Sequence, residues 1–177
     1  MPKNVRSIAR AAVIAALYAL LTIFTQPISY GPIQFRVSEA LGILPLFFPE
    51  SVIGLTVGCL IANLIGLGIF DIVFGTFATF LAAITTYFVG KLIKNTAIKL
   101  VLGELSPCVF NGLIIPLVIL LAGIESEGYL IDAASIFLSE AVCLGVIGTA
   151  LYFALLPLMK FLKPSVNENG NAEETDN

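Results

Sequence analysis

Apolar residues fall in long runs broken by short polar stretches, and the runs set the architecture. They cover roughly 7–25, 37–48, 51–65, 72–89, 105–122 and 133–159. A helix needs about 20 apolar residues to cross the hydrocarbon core of a bilayer, or 17 to 25 with tilt. The stretches 37–48 and 51–65 are short by that standard. Pro45 interrupts the first of them, and Pro49-Glu50 separates the two. They count either as one broken crossing or as two.

Charge decides between these. Lys3, Arg6 and Arg10 precede the first run, Lys91, Lys94 and Lys99 form a central patch, and Lys160 and Lys163 follow the last run. Only Arg36 lies elsewhere among the nine basic residues. Cytoplasmic loops collect Lys and Arg, so the three clusters belong on one side. Two runs separate the central patch from the C-terminal cluster. An even number must also separate the N-terminus from the patch, which requires counting 37–48 and 51–65 as two. The predicted fold is an all-α integral membrane bundle of six transmembrane helices with both termini cytoplasmic. Its second helix is short or partly re-entrant, since irregular backbone at depth is tolerated where protein surrounds it. The membrane domain is expected over 1–163, and the Asn- and Glu-rich stretch 164–177 reads as a disordered acidic tail. A cleaved signal peptide is the alternative for the first run, but Thr25-Gln26-Pro27 is a poor cleavage site.

Composition narrows the function. Hydrophobic residues make up 58% of the 177, and charged residues only 12%, against about 25% in soluble domains. A net charge of −3 argues against a nucleic-acid partner. Histidine is absent, which removes His-based acid–base catalysis and most metal chemistry. Cys59, Cys108 and Cys143 sit singly on separate runs and read as small core residues. Gly90-Lys91-Leu92 lacks the spacing and the Ser/Thr of a phosphate-binding loop. No catalytic residue or metal site is expected, and the chain reads as a non-enzyme.

Polar residues inside the runs carry the functional signal. Glu140 lies eight residues beyond Asp132, roughly 12 Å below the outer end of its helix. Intramembrane acids are costly and mark sites, although a structural bond to a neighbouring helix is the plainer reading. Asn63 approaches the outer end of its run, and Asp71 opens the next, where it also suits the positive end of the helix dipole. Arg36 and Glu39, three apart, share a face at a helix start. Gln34, Arg36, Glu39, Asn63, Asp71 and Glu140 are expected to converge on the outer half, with Asn111 and Phe74 as further candidates. Two ladders of small residues allow close helix contact. Gly54, Gly58, Ala62 and Gly66 suit internal packing. Ala11, Ala15 and Ala19, with Ala12 and Ala16 alongside, suit either internal packing or docking of another membrane subunit.

The stretch Gly31-Pro32-Ile33-Gln34-Phe35-Arg36-Val37-Ser38-Glu39-Ala40-Leu41 resembles the queuosine-precursor (QueT-type) family of S components of energy-coupling-factor (ECF) transporters. The resemblance covers about 5–163. It implies a bacterial cell-membrane protein that binds a 7-deazaguanine at an outward-facing pocket. It also implies docking on a membrane coupling subunit held by two cytoplasmic ATPases, so that ATP is used by the partners and no cofactor by this chain. The face of Ala11, Ala15 and Ala19 resembles the family's docking motif. A carboxylate can accept the paired N1–H and 2-amino donors of a guanine-like edge, with Glu140 or Glu39 as candidates. Gln34 could meet the remaining carbonyl and Phe74 the ring face. The alternatives are an S component for another vitamin-like metabolite, or a membrane scaffold that binds no metabolite.

Overall fold

The computed structural model describes residues 3–25, 36–66, 68–123 and 126–162. They form six helices, with no strand among the described residues. The helices are α1 (Lys3–Phe24), α2 (Val37–Leu46), α3 (Ser51–Gly66), α4 (Asp71–Leu92), α5 (Thr96–Leu121) and α6. The last runs as Tyr129–Cys143, a π turn at Leu144–Gly148, and Thr149–Leu162. Four stretches are long and apolar enough to cross a membrane: Val5–Phe24, Asp71–Leu92, Thr96–Leu121 and Tyr129–Met159. The expected tail, 164–177, lies outside the described residues.

The two short runs form two separate helices, split at Pro49-Glu50 as the charge pattern requires. The first of them, α2, is a 3₁₀ helix. Its rise of about 2.0 Å per residue carries ten residues over about 20 Å, further than an α-helix of that length. It touches each of the other five helices and is buried along most of its length, so it is the central strut of the bundle. Such a position explains its apolar sequence: no face of it meets lipid alone. The fifth helix starts earlier than the apolar run predicts, because Asn95 caps it. The Asn95 side chain accepts from the Ala97 and Ile98 amides at 3.0 and 3.2 Å. Lys99 therefore lies inside α5.

The two ladders of small residues meet each other. A methyl group added at Gly58 would stand 2.7 Å from the Ala15 carbonyl oxygen and 2.8 Å from the Tyr18 Cβ. At Gly54 it would stand 2.8 Å from the Ala11 carbonyl oxygen. Only glycine permits this approach, and in lipid such van der Waals packing carries most of the association energy. Ala15 and Ala19 are consequently buried and Ala11 is half-buried. Ala11 and Ala15 thus pack against α3, as the internal-packing alternative has it, and Ala19 is buried on the same side. The outward small residues of α1 are Ala9, Ala12 and Ala16.

Basic residues gather at one end of the bundle. Arg10 bonds Glu50, which lies between α2 and α3, at 2.9 Å. The end of α4 near Gly90 and the start of α5 near Gly103 both close on Leu46. The opposite end carries Asp71 and Asp132 at helix starts.

Candidate functional site

Toward the end away from the basic residues, all six helices supply polar side chains to one buried cluster. Glu39 stands in the first turn of α2 and is 2% exposed. It accepts a short hydrogen bond from the Tyr18 hydroxyl of α1. Glu140, midway along α6, is 4% exposed and accepts from the Asn111 amide of α5 at 2.9 Å. Asn111 also interacts with Glu39, so it stands between the two carboxylates. Arg36, at the entry to α2, is buried, and its charge acts on Glu39, Asp71 and Glu140. On the other flank, Asn63 of α3 is fully buried and donates to the Asp71 carbonyl at 3.0 Å.

Secondary structure explains how these groups meet. In a 3₁₀ helix, residues three apart eclipse one another. Glu39 and Gly42 therefore lie on one side, where both border a void of about 10 Å³ shared with Tyr18 and Pro107. That volume admits about one water molecule, so the inner side of the cluster is closed to anything larger. The π turn Asp71–Gly75 buries Asp71 and Gly75 and turns Val73 and Phe74 outward. Phe74 is 39% exposed and makes no contact with the buried cluster among the described residues. Gln34 lies outside the described residues.

The structure thus brings together Arg36, Glu39, Asn63, Asp71, Asn111 and Glu140. Sequence reasoning missed a supporting set. Tyr18 holds Glu39, and Thr22, one turn further along α1, donates to Ser38 at 2.6 Å. Both lie on the face of α1 that carries Ala15 and Ala19. A polar pair on a small-residue face was the available signal. Cys59 receives hydrogen bonds from Thr79 at 3.2 Å and from Asn63 at 3.4 Å. Cys143 donates to the Arg36 carbonyl at 3.4 Å and ties α6 to the entry of α2. Two of the three cysteines therefore brace the cluster.

The cluster holds three carboxyl groups and one guanidinium, so its acidic groups outnumber its basic ones by two. Such an excess is expensive inside a membrane protein. Two acceptor atoms, Glu140 Oε2 and Asn63 Oδ1, are buried with no hydrogen-bond partner among the described residues. Buried acceptors without partners cost about 1–3 kcal/mol each, more when charged. The arrangement suits a ligand rich in N–H donors and carrying positive charge. Among the described residues, no group of three or more His, Cys, Asp or Glu side chains is placed to hold a metal ion.

The queuosine precursor transporter QueT of Lactococcus lactis subsp. cremoris (strain MG1363) is 43% identical over 70 residues. That match covers 38% of this chain and 41% of the relative, less than half the length of either. No solved structure gives a significant match. A family model described as QueT transporter matches residues 8–157, and the chain belongs to the QueT transporter family.

Proposed function

We propose that this chain is the substrate-binding S component of an ECF-type importer and that it takes a 7-deazaguanine queuosine precursor from outside the cell. On this reading the bundle crosses the membrane six times with its basic end in the cytoplasm, and the acidic cluster lies in the outer half. A single observation carries the reading: Glu39 and Glu140, two carboxylates buried in a membrane protein, share Asn111 while Glu140 Oε2 has no donor among the described residues. The N1–H and 2-amino group of a deazaguanine supply donors of the required kind. An aminomethyl substituent would bring the positive charge that the cluster lacks, so the aminomethyl form should bind more tightly than a neutral one. Asn63 offers its Oδ1 to a further donor.

The test is thermal unfolding of the purified protein with aminomethyl-deazaguanine. At 100 times the dissociation constant, binding to the folded state alone adds about 2.7 kcal/mol of stability. A clear upward shift that guanine or adenine does not reproduce supports the reading. No shift with any deazaguanine favours a scaffold without a metabolite.

Transport needs an energy source, and this chain carries no phosphate-binding loop. A membrane coupling subunit and two cytoplasmic ATPases would supply it. The surface for that subunit would be the outward Ala12 and Ala16 of α1, since Ala11 and Ala15 pack against α3 and Ala19 is buried. Ala16→Trp is expected to abolish uptake in cells that express the coupling subunits. Isothermal titration of the purified variant should give the parent's affinity. Retained uptake, or loss of ligand binding together with uptake, would remove this stripe from docking.

A further inference from the structure

We propose that the groove between the basic end of α1 and the end of α6 binds one anionic phospholipid, with an acyl chain in the groove and the phosphate on Arg6 and Arg10. The groove encloses about 420 Å³ and is walled by Val13, Ile14, Leu44, Phe48 and Leu158, with Arg10 at its rim. Val13 and Leu158 are 58% and 46% exposed, so the trough opens sideways, toward lipid.

The polar end of the groove is built for a phosphate. The Arg10 guanidinium is steadied by Glu50 at 2.9 Å through Nη1 and lies 5.3 Å from the centre of the Phe48 ring. A guanidinium has five N–H donors, so this pairing leaves others for an anion. Arg6 is exposed and stands one turn nearer the N-terminus, about 6 Å further toward the membrane surface. Charge at the surface and an apolar wall below it match an amphiphile in its bilayer orientation. A soluble metabolite would match only the rim. Glu50 neutralises one of the two arginines, leaving an excess of +1 from this pair and its partner. A zwitterionic headgroup brings its own cation to that surface, whereas an anionic one does not. Cytoplasmic leaflets are rich in anionic lipid, and each basic side chain near the surface strengthens its binding about fivefold.

The experiment uses the full chain, delipidated in neutral detergent and titrated with phosphatidylglycerol or phosphatidylcholine of identical chains under native mass spectrometry. One phosphatidylglycerol should be retained per protein, at least fivefold in preference to phosphatidylcholine. Val13→Trp and Leu158→Trp, both at exposed positions, should fill the trough and lose the bound lipid. Arg6→Gln should bring the preference to within about twofold, keeping the acyl contacts. Equal retention of the two lipids overturns the proposal, as does undiminished retention in both tryptophan variants. A stable dimer that covers the groove in place of lipid overturns it too. Deazaguanine binding is read separately on the same preparations, so a negative lipid result leaves the transport reading standing.

Discussion

Glu140→Gln is expected to lower affinity for aminomethyl-deazaguanine about 100-fold while leaving the ligand-free protein at least as stable as before. The two halves of that expectation have different causes. A glutamine at this position can still accept from Asn111, whose amide donates to Glu140 Oε1 at 2.9 Å, so the link between α5 and α6 survives. Oε2, which has no partner among the described residues, becomes an amide nitrogen, and in the proposed complex it would meet the ligand's donors with a donor of its own. A hydrogen bond to a charged acceptor contributes about 1.5–3 kcal/mol, and every 1.4 kcal/mol is tenfold in affinity. Removing one ionisable acid from a cluster in which acids outnumber bases meanwhile lowers the desolvation cost of the buried site. Calorimetric titration and thermal unfolding of the same variant separate the outcomes. If affinity stays at the parent's value, Glu140 is a strut between α5 and α6 and has no part in recognition.

Gly58→Leu is expected to cost about 3 kcal/mol or more of stability and to abolish ligand binding. The added Cβ alone would stand 2.7 Å from the Ala15 carbonyl oxygen, and backbone cannot move aside as a side chain does. Overpacking of this kind typically costs 1–3 kcal/mol before the rest of a leucine is placed. Separation of α1 from α3 also withdraws Tyr18, whose Cβ lies against Gly58 and whose hydroxyl holds Glu39. The damage should therefore reach the polar cluster. Gly145→Leu is the control, because nothing lies within 4 Å of a methyl placed there. Denaturation in a detergent series should show the loss for position 58 and near-parent behaviour for position 145. Comparable stability of the two variants would mean that α1 and α3 are not held by this contact.

Much of the site was legible before any coordinates. Glu140 stands out because an acid far from either end of an apolar run needs a reason to be there. Asn63, Asp71 and Asn111 follow by the same logic, and the structure places them with Arg36 and Glu39. The π turn Asp71–Gly75 shifts the angular position of Phe74, and no composition signal announces such a turn. Tyr18 was overlooked for a related reason. A tyrosine near the middle of a helix reads as packing until its hydroxyl is seen to meet a carboxylate 21 residues away.

Hydrophobic run length and the placement of nine basic residues were enough to establish a helical membrane protein, its separable second and third helices, and the end at which polar side chains collect. Those properties follow from transfer free energies, which each residue contributes wherever its neighbours are. Tertiary structure alone could show which small-residue face of α1 is consumed by α3 and which looks outward. The two faces have nearly the same composition, and the choice depends on the positions of Gly54 and Gly58 on another helix. The pairing of Glu39 with Tyr18 and of Glu140 with Asn111 is of the same kind. Hydrogen-bond partners are set by the distance and direction between helices, and a one-dimensional pattern contains neither.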